Sequence, residues 1–245
     1  DISIEQAIKL IRGEKGTAVN LSILREGNEK QIEVKIVRDV INIPTLETEL
    51  RKDGIFVIKL YTFSANSAKL FRDAIKSFAA SKSDKLLLDL RGNPGGYLDS
   101  AVDISSWFLP SGKTVVIEDY GESKKEEVYR SRGYNVFNDK LKFVILIDAG
   151  SASASEIVAG AMQDHKRAKL VGSQSFGKGS VQEATKITPD TLLKITVAKW
   201  LTPNGNLIAE KGLTPDYKVD FTPIDVAGKK DPQLDKAVEL LLNWK

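Results

Sequence analysis

The feature that most constrains the fold of this chain is a pair of short, wholly apolar runs, each followed by a loop of small residues and then by a helical pattern. The runs cover residues 86–88 and 143–147. An apolar run of this length is typical of a strand buried on both faces, as in a parallel sheet. Alternation with helices therefore predicts an α/β core whose functional loops follow the carboxyl ends of the strands.

The remaining periodicity predicts further elements of the same kind. An amphipathic helix is expected over 66–80, a second over 98–109, and a third following residue 153 to about 163. Strands are expected at 55–63, at 115–117, around 170 and 181, and over 192–200, and a closing helix is expected over 234–242. The polar stretch 119–140 predicts a solvated loop or insertion.

The first forty residues have a different pattern and predict a separate small module. A capping box formed by Ser3 and Gln6 opens a helix, and apolar alternation over 19–23 and 32–36 predicts two strands joined by a turn at 26–29. Forty residues bury too little surface to form a good core alone. We therefore expect a boundary near residue 40 and an incomplete module before it.

Composition excludes several classes of function. Lysine and arginine number 36 against 33 acidic residues, and this near balance argues against nucleic acid as a partner. The absence of cysteine excludes thiol catalysis and thiolate metal sites, and the single histidine leaves no room for a multi-histidine zinc site. The sequence does not open with the basic and apolar segments of a signal peptide, so it reads as a piece of a longer precursor.

The first candidate site is the segment 172–179, which nearly fits the phosphate-loop pattern G-x-x-x-x-G-K-[ST]. Gly179 stands where that pattern needs Ser or Thr, and the residues after it read as a strand. A phosphate loop needs a helix there, since the helix N-terminus binds the anion. Nucleotide binding is therefore disfavoured, and Lys178 among glycines needs another explanation.

The second candidate is Ser153, which has two interpretations. With Glu156 it forms the S-x-x-E pattern of a capping box, and it also stands at a strand-to-helix turn where a nucleophile would benefit from free N–H groups. A nucleophile needs a base, and His165, a solvated residue near the end of the same helix, would lie about 18 Å away. The base must then be a carboxylate or a lysine. A lysine base needs burial to lower its pKa, and Lys178 is the lysine best placed to be sequestered.

The third candidate is the Asn-Pro-Gly-Gly segment 93–96, just past the first buried strand. It reads either as a plain turn or as a loop whose glycines let a backbone N–H approach a substrate oxygen.

Taken together, these segments resemble the carboxyl-terminal processing peptidases, the tail-specific serine proteases. The matching segments, in family order, are DLRGNPGG at 89–96, GSASASE at 150–156, FGKG at 176–179, GLTPDY at 212–217 and DPQLDKAVELL at 231–241. The resemblance implies a Ser-Lys hydrolase with an α/β fold: a crotonase- or Clp-protease-like serine protease core preceded by a partial PDZ module. Residues 1–40 would be the C-terminal part of the PDZ domain and residues 41–245 the protease core.

The resemblance also assigns roles to five residues. Ser153 matches the family nucleophile, Lys178 the general base, and Gln182 a glutamine that positions the lysine. Gly96 and Ala154 match the N–H donors of the oxyanion hole. No metal and no organic cofactor are implied.

The function implied is a serine endopeptidase that cleaves unfolded or tagged proteins near their C-termini, in the periplasm, the cell envelope or the thylakoid lumen. The loop that captures a terminal carboxylate is expected upstream of residue 1, and the need for an activating adaptor stays open. One alternative is a non-catalytic peptide-binding module on an inactive hydrolase fold, against which the intact Ser153, Lys178 and Gln182 argue. Acyl transfer on a crotonase-like core would need a coenzyme A site, for which the sequence offers no residues.

Overall fold

A computed structural model describes residues 2–25, 30–41, 43–122, 124–134, 136–137 and 140–244, apart from the side chain of Val226. The chain divides into two compact units, Asp1–Ile43 and Pro44–Lys245. The division falls three residues after the boundary expected from the sequence.

The first unit contains one helix and one hairpin. In chain order these are α1 (Ile4–Ile11), β1 (Ala18–Ile23) and β2 (Ile32–Val37), with β1 and β2 antiparallel. The predicted capping box is confirmed: the Ser3 N–H donates to Gln6 Oε1 at 3.0 Å, and the Gln6 N–H donates to Ser3 Oγ at 3.2 Å. The turn predicted at 26–29 lies outside the described residues. No described residue of this unit is buried, as expected of a segment too small to form its own core.

The second unit contains the remaining elements. In chain order they are β3 (Leu46–Leu50), β4 (Phe56–Leu60), α2 (Ser67–Ser81), β5 (Lys85–Asp89), α3 (Leu98–Ser105), β6 (Thr114–Asp119), β7 (Glu127–Arg130), β8 (Lys142–Ile147), α4 (Ala154–Asp164), β9 (Lys169–Gly172), β10 (Ser180–Thr188), β11 (Thr191–Leu201), β12 (Tyr217–Lys218), α5 (Pro223–Ala227) and α6 (Pro232–Leu242).

A six-stranded sheet in the order β12-β9-β8-β5-β4-β3 forms the centre of the second unit. All neighbouring pairs are parallel except β3 with β4. The two apolar runs are the adjacent central strands β5 and β8, as predicted. Alternate side chains of these strands pack on one side against α2, α3 and α4 and on the other against α6, which explains why both strands are apolar throughout.

An antiparallel sheet in the order β10-β11-β6-β7 lies beside this core. Strand β7 lies within the stretch 119–140, so the prediction of a loop is wrong for residues 127–130. The strand pairs with β6 at the edge of the sheet and buries neither face fully, so its polar sequence did not show the usual strand pattern. The edge strand β3, which alternates Leu and Thr with Glu, was not predicted either.

The three candidate loops, at 93–96, 150–156 and 172–179, follow the carboxyl ends of the parallel strands β5, β8 and β9, as the α/β pattern predicts. Hydrogen bonds join these loops directly: the Ala152 N–H donates to Asn93 O at 3.0 Å, and the Phe176 N–H donates to Ser151 O at 3.0 Å. The fold thus brings three distant sequence segments to one edge of the sheet.

Candidate active site

Ser153 stands at the strand-to-helix turn that precedes α4. Its backbone has φ 55° and ψ −115°, a positive φ that residues with side chains rarely adopt. Its N–H donates to Glu156 Oε2 at 2.8 Å, which is the backbone half of the predicted capping box. The side chain is half-buried. Capping and a strained, nucleophile-like turn therefore occur at the same residue.

The Asn-Pro-Gly-Gly loop packs against this turn and is more than a plain turn. Asn93 is fully buried, and its side chain donates to Leu60 O at 2.6 Å and accepts from the Gly95 N–H at 2.9 Å. A Cβ placed on Gly95 would lie 2.8 Å from Ser153 Cβ and 2.9 Å from Ala154 N. Only glycine therefore lets the loop approach this closely. Sequence analysis named this segment as a candidate but gave a role only to its glycines and none to Asn93; the available signal was an amide between an apolar strand and Pro-Gly-Gly.

Two backbone N–H groups, one in the glycine loop and one at the start of α4, are available to a ligand. Among the residues that the structure describes, the N–H groups of Gly96 and Ala154 have no hydrogen-bond acceptor. Ala154 is the first residue of α4, where the helix dipole favours negative charge. A Cβ on Gly96 would overlap the carbonyl of Phe63, so glycine is required there as well. This arrangement suits an oxyanion.

Lys178 is held close to Ser153 through its backbone. Its N–H donates to Glu156 Oε2 at 3.0 Å, and the Ser153 N–H donates to the same oxygen atom. The two backbone nitrogens therefore lie no further apart than the sum of these two hydrogen-bond lengths.

The side chain of Lys178 is exposed, so the prediction that it is sequestered is wrong for this structure. Within the described part of the chain its amine makes no hydrogen bond or ion pair, and the hydroxyl–amine bond of an assembled dyad is not formed. The reason is that the loop packs through its glycines: a Cβ on Gly177 would lie 3.0 Å from Gly212 N, and one on Gly179 would overlap Ala209 N. The side chains of Phe176 and Lys178 are consequently turned toward solvent.

Gln182 is exposed on β10, next to a bulge between Val181 and Gln182. It borders an open cavity of about 750 Å³ that is also lined by Tyr120 and Glu118. The hydrogen bond with Glu118 raises the pKa of Tyr120 to about 12, so this phenol stays protonated at neutral pH. The structure therefore places Gln182 beside an open recess, and in the part of the chain that it describes Gln182 makes no hydrogen bond to Lys178.

His165 caps the opposite end of α4 from Ser153, as predicted. The ring is half-buried, and its Nε2 lies 2.8 Å from Thr114 O, so the prediction of a solvated residue is wrong. Its partner on a neighbouring strand explains the burial, and its position excludes it as a base for Ser153.

The segment 172–179 leads into the strand β10, so no helix N-terminus follows Lys178. The phosphate-loop interpretation therefore lacks its structural basis.

In the described ranges, no three acidic or histidine side chains lie close enough together to hold a metal ion. No helix in those ranges is both long and apolar enough to cross a bilayer.

The fold and the site together define an α/β protein that has a serine at a strand-to-helix turn, two backbone N–H groups available as donors, and a lysine in an adjoining loop. Residues 54–219 match the model of peptidase family S41, and the chain belongs to this family of serine-type peptidases. It is 39% identical over 216 residues to a "Probable CtpA-like serine protease" of Staphylococcus epidermidis, covering 88% of this chain and 43% of the relative. It is 36% identical over 220 residues to the carboxy-terminal processing protease CtpA of Bacillus subtilis, covering 90% and 46%. The chain thus spans less than half the length of these relatives.

Solved structures share the fold. The photosystem II D1 C-terminal processing protease superposes with a TM-score of 0.74 at 24% identity, over 98% of this chain and 64% of that one. A lipoprotein from Streptococcus agalactiae superposes with a TM-score of 0.65 at 17% identity, over 82% and 70%. With the family match, these likenesses confirm a peptidase S41 fold with mixed α/β sheets. The crotonase- or Clp-protease-like relationship stays a prediction. The identity of the first unit as part of a PDZ domain stays a prediction.

Proposed function

We propose that this chain carries the catalytic core of a serine endopeptidase with a Ser153–Lys178 dyad, which cleaves unfolded or tagged proteins near their C-termini. The observation that carries the proposal is the shared acceptor, Glu156 Oε2, which holds the backbones of Ser153 and Lys178 together. The unpaired N–H groups beside the serine and the names of its relatives support the same function.

In the proposed reaction, Ser153 Oγ attacks the scissile carbonyl carbon while the neutral amine of Lys178 takes the hydroxyl proton. The N–H groups of Gly96 and Ala154 stabilise the oxyanion. Collapse of the tetrahedral intermediate breaks the C–N bond, and the lysine returns the proton to the leaving amine. Water then attacks the acyl-enzyme with Lys178 again as base and releases the new carboxyl terminus. Gln182 orients the lysine amine in the assembled state.

Substrate completes this site in the proposal. Lys178 is exposed to water in the free chain, and an extended substrate lying over the loops would exclude that water. Strand addition at a sheet edge is the general way to hold such a peptide.

We further propose that the first unit is the C-terminal part of a PDZ domain and that the protein acts on the envelope side of a membrane or in the thylakoid lumen. The helix and hairpin of the first unit support the first assignment, and the processing-protease relatives support the second. The need for an adaptor is tested by measuring casein hydrolysis by the purified protein with and without added cell extract.

The deciding experiment follows hydrolysis of denatured casein by the purified chain and by four variants. Ser153→Ala and Lys178→Ala should each abolish turnover, and the double variant should be no worse, because nucleophile and base act as a unit. His165→Ala is the matched control and should retain activity within a few-fold. Mass spectra of the products should show cuts near the carboxyl end of the substrate. An active Lys178→Ala would refute the dyad, and peptide binding without cleavage by the parent chain would establish the non-catalytic alternative.

A further inference from the structure

Glu156 has an environment that a capping residue does not need. Its side chain is wholly buried, and its carboxylate accepts four hydrogen bonds in this structure. Two are those from the N–H groups of Ser153 and Lys178 to Oε2, at 2.8 and 3.0 Å. The other two reach Oε1, from Ser175 Oγ at 2.6 Å and from the Gly177 N–H at 2.7 Å. One carboxylate therefore joins the serine turn to the lysine loop.

The same network extends to a third motif. Ser175 Oγ donates to Glu156 and accepts from the Leu213 N–H at 2.6 Å, while the Ser175 N–H donates to Leu213 O at 3.1 Å. Leu213 belongs to the GLTPDY segment, for which neither the sequence nor the proposed reaction supplies a role. In the site, Leu213 fixes the Ser175 hydroxyl that donates to Glu156.

The serine side of this connection has other supports. The Ala152 N–H and Ser155 Oγ both donate to Asn93 O at 3.0 Å, and the Gly95 backbone packs directly against Ser153. Removal of the Glu156 carboxylate would leave these contacts in place, so the turn should keep its conformation.

The lysine side depends on Glu156. The N–H groups of Gly177 and Lys178 both donate to its carboxylate, and the described residues offer them no second acceptor. The carbonyls on either side of Lys178, those of Gly177 and Gly179, are held by neighbouring segments. Without the carboxylate these two N–H groups would lose their acceptor, and the peptide units that carry them would turn toward water between the two held carbonyls.

We infer that Glu156 is a positioning residue that acts through Lys178, fixing the backbone from which the lysine amine reaches the serine. The inference rests on the Ser-Lys function proposed above and adds to it the group that sets the geometry of the dyad. In the described part of the chain, the Glu156 carboxylate bonds to backbone N–H groups and to Ser175, and not to the Ser153 hydroxyl or the Lys178 amine.

The test is a double-mutant cycle at Glu156 and Lys178 that measures the rate at which a fluorophosphonate labels Ser153 covalently. In the labelling reaction the Oγ–P bond forms, fluoride leaves and the hydroxyl proton passes to Lys178. Glu156→Ala should slow labelling at least about 30-fold when Lys178 is present and less than about three-fold in a Lys178→Ala background, because a group that acts through another adds little once that other is gone. With a peptide substrate, kcat should fall while KM changes by less than about three-fold, since substrate contacts are kept.

Glu156→Gln should rescue much of the rate. An amide oxygen placed toward Ser153 and Lys178 keeps both of those bonds. The amide NH₂ can donate to the Ser175 oxygen, so the Gly177 N–H and the Ser175 O–H lose this acceptor while the two segments stay joined. Labelling should then be at least about tenfold faster than for Glu156→Ala, which loses all four bonds. If the alanine variant does not fold, Glu156→Asp, one methylene too short to reach the loop, takes its place in the cycle.

Asp103→Ala is the control for loss of a buried carboxylate. Asp103 is similarly buried, but its partners are Arg132 and Tyr134, so this variant should lose stability and keep the labelling rate. Equal effects of Glu156→Ala with and without Lys178, or a glutamine variant as slow as alanine, would overturn the inference and leave the dyad standing. Wild-type labelling by Lys178→Ala would instead refute the dyad, and the positioning role with it.

Discussion

Replacement of Gly95 by alanine should impair both folding and the reactive turn, and Gly92 in the same loop provides the matched control. Both glycines have positive φ, 94° at Gly95 and 65° at Gly92. A Cβ on Gly95 would press on Ser153 Cβ at 2.8 Å and on Ala154 N at 2.9 Å, whereas a Cβ on Gly92 would meet nothing within 4 Å. The two substitutions therefore share backbone strain and differ in steric contact.

The expected losses of stability follow from the backbone strain and the steric contact. A residue with a side chain at positive φ costs about 1–2 kcal/mol, so Gly92→Ala should lower the free energy of unfolding by about that amount. Overpacking a buried contact costs about 1–3 kcal/mol more, so Gly95→Ala should lose about 2–5 kcal/mol in total. Since the contact bears on the serine turn, a displacement of about 1 Å there should reduce the labelling rate of Ser153 on the order of 100-fold.

The assay combines urea denaturation with fluorophosphonate labelling of the folded fraction. Gly92→Ala should label within a few-fold of the parent rate, while Gly95→Ala should be slow even where it is fully folded. Equal losses of stability in the two variants, together with normal labelling of both, would show that Gly95 does not support the serine turn.

Two further predictions concern pH. If substrate covers Lys178, kcat should reach its plateau at a lower pH than kcat/KM does, because the first reports the complex and the second the free enzyme; coincident pH profiles would contradict this. At Asp231, burial raises the pKa, but the hydrogen bond and charge of Arg91 outweigh it and lower the pKa below its ordinary value of 3.8. A lowered carboxyl pKa contributes stability above the unfolded value and loses it as the pH falls through the folded one. Asp231→Asn should therefore lower the urea midpoint at neutral pH, and this difference should shrink below pH 3.8; a difference that persists in acid would refute the argument.

The sequence predicted the elements whose signal is local and strong. The central strands β5 and β8 are apolar throughout because both of their faces are covered, and the loops that follow them were placed at one edge of the sheet by the parallel topology alone. Strands β3 and β7 were missed because an edge strand with exposed faces tolerates charge, and their sequences then resemble loops.

The site was predicted in its components and less well in its geometry. Ser153 and Glu156 were recognised as a capping pair because they are three residues apart, but the bond from Glu156 to Lys178 spans 22 residues and leaves no local pattern. The exposure of Lys178 was missed for a related reason: flanking glycines predict a tight loop, but they do not reveal which way its side chains face.

The unusual backbone of Ser153 has a consequence for how such a site persists through evolution. At φ 55° and ψ −115°, glycine is the residue that the backbone itself would favour. Selection for stability alone would thus tend to remove the serine, and with it the hydroxyl. The side chain is retained only where its chemistry is under selection, so related chains released from that selection should drift toward glycine at this position sooner than at the neighbouring positions of the helix.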